Sequence, residues 1–113
     1  MMPMKNTEQP FKTIYVDIDE TICFYPKEYS IDANKDYSTA IPNYEFIKKV
    51  NSLYDAGHRI VYWTARGSRS KINWLAFTMQ QLQEWGVKYH ELKCDKPYYD
   101  IFIEDRSIRI EEL

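Results

Sequence analysis

Two short apolar runs constrain what this chain can fold into. Lys12-Thr-Ile-Tyr-Val-Asp17 and Arg59-Ile-Val-Tyr-Trp63 are β-branched or aromatic nearly throughout, and each stops abruptly on polar residues. A strand with one wet face alternates apolar and polar residues, whereas a run that is apolar at almost every position belongs to a strand covered on both faces. Between the two runs lies a helical pattern. Asn43 is placed to cap it, Phe46, Ile47, Val50, Leu53 and Tyr54 follow helical spacing towards Ala56, and Gly57 supplies a left-handed stop. Strands joined by helices form parallel sheets, because a parallel return needs a crossover.

The pattern then repeats. A second helix is expected from about Ser70 to Trp85, with Ile72, Leu75, Met79 and Leu82 on one face, Trp74, Phe77 and Trp85 widening it, and Gly86 as its stop. A third strand is expected over Val87 to Leu92 and a fourth over Tyr99 to Ile103, with Ile108 to Leu113 as a short closing strand or turn. The expected fold class is α/β, a three-layer parallel sheet with helices on both faces. At 113 residues the chain is read as one domain. Residues 1–10 read as a flexible arm, and residues 23–42, marked by Pro26, Asn34 and Pro42, as a loop near the active site.

Charge and cysteine usage narrow the partners. The net charge of -2 offers no basic field for nucleic acid or anionic membrane. No apolar run approaches the roughly 20 residues of a membrane-spanning helix. Cys23 and Cys94 lie far apart with no secretory leader, which points to a reduced, cytoplasmic protein.

In open parallel sheets ligands bind outside the carboxyl ends of the strands, where strand order reverses. That rule gathers Asp17, Asp19, Thr64, Lys96, Glu104 and Asp105 onto one edge. Carboxylates packed together raise one another's pKa unless a cation intervenes. Mg2+ takes one or two carboxylates plus substrate phosphate and water, so phosphate is the natural substrate group. Lys96 and the Thr64 hydroxyl would hold its oxygens, while a carboxylate attacks phosphorus in line.

These residues match a family. Asp17-Ile-Asp19-Glu-Thr21 resembles the first signature of the haloacid dehalogenase-like (HAD) phosphatases, Thr64 their second, Lys96 their third and Glu104-Asp105 their fourth. Thr64-Ala-Arg-Gly67 and Lys96-Pro-Tyr-Tyr-Asp-Ile-Phe-Ile-Glu-Asp105 also look like small capsule-biosynthesis phosphatases of that superfamily. The resemblance implies a Rossmann-like domain and a Mg2+-dependent phosphomonoester hydrolase. In it Asp17 is the nucleophile that forms an aspartyl-phosphate, and Asp19 is the general acid/base. Thr64 holds the phosphoryl group and Lys96 steadies the nucleophile. Mg2+ is held by Asp17, the Asp19 carbonyl and Asp105, with Glu104 direct or through water. Glu104 stands where aspartate is commoner in the family. Asp100 is expected at the opposite end of its strand.

Relatives acting on small metabolites carry a cap domain, and the gaps here leave no room for one. The site is therefore expected to be open, suiting a bulky substrate such as a polynucleotide end or a phosphoprotein, or a small one, a sugar phosphate or a nucleotide, enclosed by a homo-oligomer. Thr21, Arg66 and Arg106 are candidate substrate-binding residues, the two arginines for a second phosphate or a carboxylate. Phe24, Tyr25, Tyr29, Tyr37, Tyr98 and Tyr99 are candidates to stack on a base or sugar. Two other classes remain open: a non-catalytic protein that binds a phosphorylated ligand, and a receiver-like phospho-accepting signalling domain.

Overall fold

The computed structural model describes residues 11–26 and 36–113. The expected flexible arm 1–10 and the middle of the expected loop, including Tyr29, lie outside them. Strand β1 (Thr13–Val16) leads into a short strand β2 (Cys23–Phe24), which pairs antiparallel with β3 (Ile41–Pro42). Helix α1 (Tyr44–Asp55) follows, then β4 (Arg59–Trp63), α2 (Leu75–Glu84) and β5 (Glu91–Lys93). Short 3-10 turns occupy Tyr37–Thr39 and Ile110–Glu112. The result is a small α/β domain with a parallel sheet of order β1-β4-β5 and a separate antiparallel pair.

Local chemistry explains the boundaries. The Asn43 side chain accepts a hydrogen bond from the Phe46 amide at 3.1 Å, satisfying one of the orphan donors at the start of α1. Gly57 closes that helix at φ 103, a conformation with little cost for glycine. Helix α2 begins at Leu75 rather than near Ser70 because the chain turns first. The Ser68 amide donates to Ala65 and the Lys71 amide to Gly67, and Lys71 itself sits at φ 66. The Asn73 side chain, one residue before the N-cap Trp74, then accepts the Leu75 amide at 3.0 Å. The third strand is displaced from Val87–Leu92 to Glu91–Lys93, since Val87 is held in the turn that ends α2, its amide donating to Leu82.

Register shows where the core lies. Ile14 stands beside Ile60, and Val16 and Leu92 stand beside Tyr62. These side chains belong to one cluster with Ile47 and Val50 of α1 and with Leu82 and Trp85 at the end of α2. Both helices therefore cover the same sheet face, a correction to the expected arrangement with helices on both faces. The reason is topological. Strand order β1-β4-β5 advances in one direction, and successive right-handed crossovers advancing one way fall on one side. The opposite face carries Tyr15 beside Val61, and Trp63 beside Lys93, with no helix over them among the described residues.

The expected fourth strand is also corrected. Residues 97–109 have no regular structure, and Ile101 and Ile103 are 79% and 90% exposed. Apolar content alone does not make a strand; it needs a partner's backbone, and this run has none among the described residues. No helix of the described residues is long and apolar enough to cross a membrane.

Candidate functional site

Asp17 leaves β1 at its carboxyl end. Its Oδ1 accepts the Ile18 amide at 2.8 Å, and its Oδ2 accepts Lys96 Nζ at 3.2 Å. Lys96 reaches it because the chain leaving β5 is tied to the end of β4. The Thr64 amide donates to Lys93 O at 2.9 Å, and the Lys96 amide donates to Thr64 O at 3.2 Å. The Asp17 carboxyl is raised above its ordinary value by burial, opposed by the charge and hydrogen bond of Lys96. Its side chain keeps an open side, 41% exposed, while that of Lys96 is almost covered. The two face a broad cleft of about 1060 Å³ that Glu20, Thr21, Tyr99 and Glu104 also line.

Asp19, two residues on, is held differently. Arg66 Nη2 donates to its Oδ1 at 2.9 Å and Arg66 Nε to its Oδ2 at 3.1 Å, a two-pronged pair. The Tyr25 hydroxyl also donates to Oδ1, and the Cys23 thiol approaches the same oxygen at 3.6 Å. Arg66 is wholly buried and spends its remaining donors inward, on Thr78 Oγ1 at 3.1 Å and Gln81 Oε1 at 2.8 Å. The Tyr37 ring closes over its guanidinium at 4.5 Å. Burial pulls the Arg66 pKa down, but the Asp19 bond and charge outweigh it and the net direction is up. Burial, reinforced by the Asp19 charge, pushes the Cys23 thiol up to about 12 and keeps it protonated.

The remaining candidates are placed as follows. Thr64 is buried, its hydroxyl accepting the Arg66 amide at 3.2 Å. Thr21 lines the cleft with Asp17. Glu104 and Asp105 stand in the exposed tail, where Glu104 accepts the Arg106 amide and Arg106 lies 3.8 Å from Asp105. The structure thus brings Asp17 and Lys96 together, ties Asp19 to the buried Arg66, and leaves Glu104 lining the cleft with Asp105 exposed beside it. Among the described residues no three His, Cys, Asp or Glu side chains stand close enough to hold a metal ion together. Asp17 already faces an ammonium, so among the described residues the side chains as placed do not gather a ligand set around a divalent cation.

Of the candidate stacking residues, Phe24 packs against Phe46, while Tyr25 and Tyr37 belong to the Arg66 cluster; Tyr98 and Tyr99 are exposed. Thr78 and Gln81 were not anticipated. Their signal was two polar side chains three residues apart on the buried side of α2, which calls for a buried polar partner.

No family model matches the chain, and no curated protein matches it. A crystal structure of a protein from Vibrio cholerae, described only as a target, is similar in fold, with a TM-score of 0.74 and 26% identity over 90% of this chain and 86% of that one.

Proposed function

We propose that the chain is a phosphomonoester hydrolase of the HAD type, with Asp17 as nucleophile. The observation that carries this reading is the Asp17–Lys96 pair, 79 residues apart in sequence and joined at the carboxyl ends of parallel strands. An ammonium at 3.2 Å orients the carboxylate and offsets the charge of an incoming phosphoryl group. The attacking Asp17 oxygen forms a bond to phosphorus as the bond to the leaving oxygen breaks. The leaving oxygen takes a proton from Asp19, and water then hydrolyses the aspartyl-phosphate, returning a proton to Asp19. An arginine clamp favours the ionised carboxylate, so Asp19 takes up this role only after turning out of the Arg66 pair.

Mg2+ is the cation we propose for this site, offsetting phosphoryl charge when bound. Its protein ligands would be Asp17, the Asp19 carbonyl, and Asp105 or Glu104. The edge of β1 away from β4, unpaired among the described residues, supports this assembly. The apolar run Ile101–Ile103 could add there as a strand, which would reverse the strand order beside Asp17, complete a Rossmann-like sheet and carry the acidic pair inward.

The test is Mg2+-dependent release of phosphate from p-nitrophenyl phosphate. Turnover by the wild-type chain, lost in Asp17→Asn and strongly reduced in Lys96→Met, is expected. A folded chain that hydrolyses no phosphoester with Mg2+ present refutes it. The hold of Arg66 on Asp19 favours a second reading, a non-catalytic phospho-ligand-binding protein, in which Asp17→Asn alters binding and there is no turnover to lose.

A further inference from the structure

The sheet face opposite the helices bears an array that phosphoryl chemistry does not require. Tyr15 and Trp63 meet edge to face, with ring centroids 5.5 Å apart at 86°. Lys93 Nζ lies 5.7 Å from the Tyr15 centroid. Lys96 Nζ stands between two rings, 5.6 Å from Trp63 and 5.5 Å from Tyr99. Further out, the Arg69 guanidinium lies 4.5 Å from the Tyr98 ring. Rings and cations therefore alternate outward from the Asp17–Lys96 pair.

The array is built and open. The Trp63 indole N–H donates to Asp95 Oδ1 at 2.8 Å, which fixes the plane of the ring. Tyr15, Tyr98 and Tyr99 are 51%, 57% and 42% exposed, so each keeps ring surface open to solvent beside the cation it faces. The occupant must suit both components. An apolar peptide would leave the charges of Lys93 and Arg69 unanswered. A simple sugar phosphate sets only a puckered C–H face against a tyrosine, without the broad π-surface of a base. A nucleotide has both, since its base stacks on aromatic faces and its phosphates answer the cations.

We propose that the helix-free sheet face, from Tyr15 and Trp63 to Tyr99, binds the base of a nucleotide whose phosphate lies at Asp17 and Lys96. The position of the phosphate rests on the function proposed above; the stacking surface does not. A free mononucleotide and the phosphorylated end of a single strand present the same chemistry, and the test separates them.

The experiment uses the Asp17→Asn chain, so that binding is read without turnover by tryptophan fluorescence and calorimetry. The probes are adenosine 5′-monophosphate, adenosine 3′-monophosphate, ribose 5-phosphate, inorganic phosphate, and a short single-stranded oligonucleotide with and without a 3′-phosphate. Loss of one stacked base is worth about 5- to 150-fold in affinity. The nucleotides are expected to bind more tightly than ribose 5-phosphate by a factor in that range. Tyr99→Ala should abolish the advantage, and Tyr99→Phe should restore it. Tighter binding of the phosphorylated oligonucleotide than of either mononucleotide assigns the site to a strand end; the converse assigns it to a free nucleotide. If ribose 5-phosphate binds as well as the nucleotides, the proposal is overturned whatever the variants do. A dimer weakened by Tyr15→Glu, with no preference for a base, gives the face to a second copy and also overturns it. Turnover of p-nitrophenyl phosphate without base preference removes this inference alone. Base-dependent binding without hydrolysis of any ester removes the phosphatase reading alone.

Discussion

Replacing Arg66 by Met is the most informative single perturbation of this fold. The substitution keeps much of the aliphatic stem and removes the guanidinium. It takes the ion pair from the Asp19 carboxylate, 17% exposed, and leaves Gln81 Oε1 and Thr78 Oγ1 without the donor they share. Breaking a buried pair by deleting one partner costs about 3–5 kcal/mol, and with the Arg66 side chain wholly buried solvent screens little of it. An unfolding entropy of about 2.1 cal/mol/K per residue, applied to 113 residues, gives about 0.24 kcal/mol/K. The melting temperature should then fall by roughly 13–21 °C. Urea unfolding followed by the fluorescence of Trp63, Trp74 and Trp85 measures the loss of free energy, and a thermal scan the melting temperature. The double variant Asp19→Asn with Arg66→Met removes both charges, so it should cost less than the sum of the two single changes by about 2 kcal/mol or more. An Arg66→Met loss below about 1 kcal/mol, or strict additivity in the double variant, would refute the claim that the pair is buried and coupled.

Three further outcomes are expected. Because burial raises the Asp17 pKa in the fold, the unfolded chain loses its proton first as pH rises, so stability declines between the unfolded value of 3.8 and the folded one. Asp17→Asn should remove that decline and, at neutral pH, melt no lower than wild type while losing turnover; a lower melting temperature contradicts the argument. Tyr62→Phe should stabilise by about 1 kcal/mol, because the buried Tyr62 hydroxyl has no hydrogen-bond partner among the described residues; chemical denaturation checks it. Gly67→Ala should destabilise by about 1–3 kcal/mol, since Gly67 sits at φ 88 and a Cβ there would meet Ile72 O at 2.2 Å.

Legibility followed the range of the interactions involved. β1, β4 and α1 could be read because their signals are local: β-branched runs, the Asn43 cap, the spacing of Ile47 and Val50. The start of α2 escaped because Ser70 to Asn73 looks helical by spacing, and nothing in that spacing announces the left-handed Lys71. The Ile101–Ile103 run has strand composition, yet strand formation depends on a neighbour, which composition does not specify. At the site, carboxylates at strand ends were visible one at a time. The commitment of Arg66 to Asp19 was not, since it depends on Thr78 and Gln81 of α2 converging with Tyr25 from beyond β2.

The tie between Thr64 and the chain leaving β5 has a mechanical consequence. β4 is paired on both edges, and Ile60, Val61 and Tyr62 are almost entirely shielded, so its amides should be the slowest to exchange with deuterium. Thr64 extends that rigid spine by clasping Lys93 and Lys96. Among the described residues β1 is paired along one edge, with β4. Breathing between β1 and β4 would therefore move Asp17 against an anchored ammonium, making the gap between them a sensitive gauge of how tightly the sheet is closed.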